Sequence, residues 1–136
     1  MLKTIIKPPV FCYSHTPETI ADGVTATPNI TTSNDSDFLM SELRASIRKT
    51  VAFTGNVLLQ LSLASGELWS NVGVDLLSFS SNTISSYSGY PIRFPEPIKI
   101  PANSVINVQL TNNAGASIEV QVQLWGWKIP IEELYT

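Results

Sequence analysis

The sequence predicts an all-β protein, a single β-sandwich or jelly roll with an extended N-terminal arm. Three observations carry that expectation. Only 14% of the 136 residues are charged, against about 25% in an average globular protein, so Ser, Thr, Asn and Gln must supply the solvated surface. That composition excludes a coiled coil or a Lys/Glu-coated bundle and suits strands and turns with polar outer faces. Several segments alternate apolar and polar residues, and turn signals recur at intervals of roughly 8 to 12 residues, the rhythm of a sandwich. With 43% hydrophobic residues, a chain of this length can bury one core without disulfides or metal.

The elements follow in order. Residues 1–36 are expected to form the arm: Pro8, Pro9, Pro17 and Pro28 remove backbone donors, and the small polar residues from Thr25 to Asn34 compete for backbone hydrogen bonds. Val10, Phe11, Tyr13 and Ile20 are too apolar for a free linker, so the arm should lie on its own domain or on a neighbouring subunit. A body starting at Asp35 is expected to fold without it. Within the body, residues 37–136, the segment after Asn34-Asp35-Ser36-Asp37 fits a short helix through Phe38, Leu39, Met40, Leu43 and Ile47, or a strand through Leu43, Ala45 and Ile47. A turn leading into a strand is favoured. Val57, Leu59, Leu61 and Leu63 mark a strand with one apolar face. Asn71, Gly73 and Asp75 break the apolar stretch from Leu68 to Phe79 into a bent strand, and Ser78–Gly89 reads as a loop. Prolines 91, 95, 97 and 101 flank two short edge-like strands, Ile92–Phe94 and Ile98–Ile100. Last, Ile106, Val108 and Leu110, a turn at Asn112–Gly115, and Ile118, Val120, Val122 and Leu124 predict a long hairpin.

Charge and motifs narrow the function. A net charge of −3, from 8 Lys+Arg and 11 Asp+Glu, gives no general attraction for nucleic acid or anionic membranes. No apolar run has the length of a signal-peptide core or of a membrane-spanning helix. The single Cys and single His lie three apart, Cys12 and His15, and supply half of a zinc site at most. A Cys–His nucleophile pair at that spacing lacks an orienting frame. Asn34–Asp37 groups oxygen ligands but lacks the Gly and the distant Glu of a calcium loop. No nucleophile elbow, phosphate loop or assignable carboxylate pair is present. The expectation is therefore no enzyme, no cofactor and no metal.

Aromatic parity is the positive signal. Trp125 and Trp127 share the phase of Gln121 and Gln123, opposite Val122 and Leu124, so two indoles project from the nominally polar face unless a bulge at Gly126 shifts the register. Something should cover them: the arm through Phe11 and Tyr13, another subunit, or a sugar. Tyr87 and Tyr90 could extend such a surface, as could Trp69. The candidate interface is thus Phe11, Tyr13, Tyr87, Tyr90, Trp125 and Trp127.

The run from Tyr90 through Pro91-Ile92-Arg93-Phe94-Pro95-Glu96-Pro97-Ile98-Lys99-Ile100-Pro101 to Leu110, closed by Val122-Gln123-Leu124-Trp125-Gly126-Trp127-Lys128-Ile129, resembles the small jelly-roll structural proteins of bacteriophage virions. The resemblance covers roughly residues 40 to 130 and rests on strand rhythm and proline pattern. It implies a capsid-decoration or minor capsid role without catalysis, assembled as a homo-oligomer, with a trimer as the guess, on a major capsid or other virion protein. The implied location is the virion, assembled in the host cytoplasm. The rival reading is a carbohydrate-binding or receptor-recognition module, since jelly rolls also carry lectin functions.

Overall fold

Because successive strand residues face opposite ways, each alternating segment can bury only one side, and two such sheets must close on each other. The computed structural model describes residues 10–48, 55–76, 86–88 and 92–130. Its strands are β1 (Val10–Ser14), β2 (Glu18–Ile20), β3 (Thr25–Ala26), β4 (Asn29–Thr31), β5 (Ser36–Arg48), β6 (Asn56–Leu63), β7 (Gly66–Glu67), β8 (Val74–Asp75), β9 (Ser86–Ser88), β10 (Ile92–Ile100), β11 (Val105–Asn113) and β12 (Ile118–Pro130). They form two six-stranded sheets, all pairs antiparallel. Sheet A runs β1-β12-β5-β10, with β2 also on β12 and β9 also on β5; sheet B runs β3-β11-β6-β7, with β4 on β11 and β8 on β6. If β1/β2, β3/β4, β7/β8 and β9/β10 are each taken as one interrupted strand, eight strands remain. They are ordered 1-8-3-6 in one sheet and 2-7-4-5 in the other, which is the jelly-roll arrangement.

The core lies between the sheets. Leu59, Leu61, Ile106, Val108, Leu110, Val120, Val122 and Leu124, the residues whose alternation defines the strands in sequence, are all fully buried, together with Phe38, Met40, Leu43, Ile47 and Ile100. At about 1.5–3 kcal/mol for each large aliphatic side chain buried, this shared face is the main stabilising term.

Three expectations change in detail, and a fourth, open between two placements of the N-terminal segment, is narrowed to one. The long hairpin is not one: β11 pairs with β6 in sheet B and β12 with β5 in sheet A, so the connection arches across the core. Alternation states that one side faces inward but not which strand lies alongside. The buried Asn112 side chain holds the crossing, donating to the carbonyls of Ile20 (2.9 Å) and Ala116 (2.8 Å) and accepting from the Ala114 N–H (2.9 Å). The serine-rich loop includes a strand, since Ser86–Ser88 pairs with Ser46–Arg48. The two short proline-flanked strands are one, β10, irregular between Arg93 and Ile98. Val10–Thr31 lies on its own body, adding β1 and β2 to sheet A and β3 and β4 to sheet B, with Tyr13, Ile20 and Ile30 buried. No α-helix occurs among the described residues, so none there could cross a membrane.

Candidate protein-docking face

The register of sheet A fixes which side chains share its outer surface. In β12, Val120, Val122, Leu124 and Gly126 point into the core, and Gln121, Gln123, Trp125 and Trp127 point out, partly buried. The expected parity of the two tryptophans therefore holds. A register shift does lie between Trp125 and Gly126, but the extra residue belongs to the neighbour: Trp125 opposes Glu42 and Gly126 opposes Met40, leaving Ser41 of β5 unpaired. The Ser41 hydroxyl donates to the Trp125 carbonyl (3.2 Å) and occupies the bulge. Gly126 makes the close approach possible, because a Cβ there would overlap the Leu39 carbonyl.

Directly opposed residues lie on the same face, so the pairings build rows across three strands. Val10 of β1, Trp127 of β12 and Leu39 of β5 form one row, and Cys12, Trp125 and Glu42 form the next. Ile129, partly buried and opposite Asp37, extends the apolar end. Val10 is 63% exposed. The indole N–H of Trp125 donates to Gln123 (3.3 Å), whereas that of Trp127 has no partner among the described residues. Ion pairs border this apolar end: Lys99–Asp37 (3.6 Å), and Glu42 held between Arg44 (3.1 Å) and Arg93 (3.7 Å). The Arg44 guanidinium also lies over the Trp125 ring, 5.2 Å from its centroid. In each pair the cation is exposed and the carboxylate mostly covered, Glu42 being 17% and Asp37 13% exposed, so the pairs frame the row with cations on its solvent side.

Phe11 and Tyr13 do not cover the tryptophans. They oppose Gly126 and Leu124, so both face inward. Tyr13 packs edge-on against Phe11 (4.7 Å) and Phe38 (4.9 Å), and its hydroxyl donates to Ser33 Oγ (3.0 Å) and accepts from the Ser33 N–H (2.9 Å). Lys128 closes that end of the sandwich, its ammonium 3.8 Å from the Phe11 ring centroid and donating to Ser33 Oγ (2.9 Å). Trp69 packs against Phe94 at the margin of the core (6.4 Å). Tyr87 lies in β9 opposite Ile47; Tyr90 lies outside the described residues.

The other constellations resolve locally. Cys12 lies on the outer face, whereas His15 is buried at the break between β1 and β2. Its Nε2 accepts the Val122 N–H (2.9 Å), so the ring proton sits on Nδ1 and donates to the Thr16 carbonyl (2.7 Å). Both ring nitrogens are thus engaged with backbone. Burial pushes the Cys12 thiol up from its ordinary value, and the nearby Arg44 charge partly opposes this. Asp37 accepts from the Ala102 N–H (2.9 Å) and pairs with Lys99, tying β5 to the loop after β10. No cluster of three His, Cys, Asp or Glu suited to a metal occurs among the described residues. A depression of about 380 Å³ lined by Leu63, Ala64, Ser65, Pro101, Asn103, Ser104 and Val105 contains no titratable side chain.

Comparison with family models and with curated proteins returns no match. The site rests on geometry. Sequence reasoning missed Val10, Leu39 and Ile129 as its members. The signal for Leu39 was split by the bulge, and that for Val10 depends on the β1–β12 pairing.

Proposed function

We propose that this protein is a non-enzymatic structural subunit that works by burying the outer face of sheet A against another protein. The bacteriophage virion is its setting, as a capsid-decoration or minor capsid component. The observation that carries the reading is the row Val10–Trp127–Leu39, three apolar side chains side by side on a solvent face, with the Trp127 N–H free of any partner among the described residues. An apolar centre rich in Trp and framed by Arg is the composition of an interface core and its rim. The low charge density of the chain fits the same role, since few ions need to be desolvated on assembly. A sugar platform needs an open aromatic face, and Arg44 lies over that of Trp125.

The test is site-specific photo-cross-linking in purified phage particles, with the reactive group at position 127 in one variant and at position 60 of sheet B in another. A link from position 127 to a capsid protein, with none from position 60, supports the reading. Absence of the protein from particles, or equal labelling from both faces, overturns it. Specific binding on a glycan array, lost in Trp127→Ser, would favour the carbohydrate module instead.

A further inference from the structure

Sheet A has a second surface of a different kind, the outer edge of β1. Which backbone groups face that edge follows from two hydrogen bonds. The Val122 N–H points toward β1 and β2, donating to His15 Nε2 (2.9 Å), while the Trp125 carbonyl points to β5, accepting from Ser41 (3.2 Å). In an antiparallel ladder alternate residues direct both backbone groups to the same side. Leu124 and Gly126 therefore address β1, and their partners Tyr13 and Phe11 commit their N–H and C=O groups to β12. The N–H and C=O groups of Val10, Cys12 and Ser14 point outward, and no hydrogen bond to them is formed among the described residues.

The other edges are blunted. Strand β10 contains Pro95 and Pro97, the charged Arg93 and Lys99, and an irregularity. Strands β3 and β4 are short and separated by Thr27-Pro28, and β7 and β8 have two residues each. Strand β1, Val-Phe-Cys-Tyr-Ser, has neither proline nor charge. Natural sheets protect their edges by such devices, and an unprotected edge is a template for another strand.

We propose that β1 pairs antiparallel with β1 of a second copy of this chain about a two-fold axis at Cys12, joining the two A sheets into one. The self-complementarity lies in the spacing. The outward groups fall on the first, third and fifth residues of a five-residue strand, so the register centred on Cys12 satisfies all of them against themselves, as an isologous contact requires. In that register Cys12 opposes Cys12 of the second copy and Val10 opposes Ser14. Phe11 opposes Tyr13 on the inner side, a favourable aromatic cross-strand pair, and no like charges meet. The inference rests on the assembly reading only in taking the protein to self-associate, and it uses the edge of sheet A rather than its face.

The experiment is sedimentation equilibrium on the full chain, with Cys12→Pro and Cys12→Lys as edge variants and Trp127→Ser as the face control. Proline at position 12 removes an outward N–H and spares the ladder to β12, so it is tolerated as edge prolines are; lysine instead sets two like charges opposite each other. The wild-type chain is expected at twice the chain mass, the folded edge variants at the single mass under the same conditions, and Trp127→Ser still at twice. A wild-type mass of one or three chains overturns the proposal, as does a folded edge variant that stays dimeric. A dimer retained in Trp127→Ser, with no cross-link from position 127 in particles, would refute the docking face while leaving the edge pairing intact.

Discussion

The two outer faces of the sandwich are built from similar strands and end with different surfaces. On sheet B most rows are polar: Gln109 beside Gln60, Asn107 beside Ser62 and Glu67, Asn113 beside Asn56, and Thr25 beside Thr111. Neighbours there bond to each other, Thr111 to Thr25 at 2.9 Å and Asn113 to Asn56 at 3.1 Å. The apolar exceptions stand singly: Leu58, beside Thr111, has Gly73 packed over its side chain, and Val105, 46% exposed, lies beside Thr31. Sheet A begins the same way, with Gln121 and Gln123 linked to each other and to Trp125, and then departs at Val10, Trp127, Leu39 and Ile129. Uncharged polar residues suffice for solubility, so an apolar row confined to one end of one face calls for a binding explanation.

The largest expected effect tests what the faces share. Deleting residues 1–31 removes β1–β4 and, with them, the buried Tyr13, Ile20 and Ile30. The remainder should show no cooperative thermal transition by circular dichroism, whereas a cooperative melt near that of the full chain would make the segment a true arm. Next, Gly126→Ala forces a Cβ into the Leu39 carbonyl and pushes β5 from β12 where the apolar row crosses. It should cost about 3 kcal/mol in urea unfolding.

The comparison itself is sharpened by face variants. Trp125→Ser with Trp127→Ser should lower stability by only about 1–2 kcal/mol, against about 2–5 kcal/mol for Leu124→Ala, which faces the core. Partner binding should disappear in the double variant, while Gln60→Ser with Gln109→Ser on sheet B should change stability by about 0.5 kcal/mol or less and leave binding intact. The smallest effect is at Cys12. Burial raises its thiol above the ordinary value, so the unfolded chain loses this proton first and the contribution to stability falls as pH rises through the thiol range. Alkylation should therefore titrate at higher pH than in a free cysteine peptide. Arg44→Gln, which removes the charge that lowers it, should move that titration higher still.

The sequence made the core faces plain because alternation reports directly on burial, as at Leu59, Leu61, Val120 and Val122. It left β5 ambiguous for a physical reason. The bulge at Ser41 switches the buried phase from Phe38 and Met40 to Leu43, Ala45 and Ile47, and that combined spacing also suits a helix. The hairpin expectation failed because inward-facing alternation is the same whether two strands lie side by side or across a core. Tryptophan parity was legible, since it needs one strand alone. The row was not, because Val10, Trp127 and Leu39 are far apart in sequence and meet only through pairing register.

The most direct test of the docking face is hydroxyl-radical footprinting of Trp127, with Leu58 on sheet B as the internal reference, in the free chain and in purified phage particles. Trp127 should oxidise readily in the free chain and be protected in the particle, with Leu58 unchanged. Equal oxidation of Trp127 in both states, or absence of the chain from the particles, would contradict the docking face.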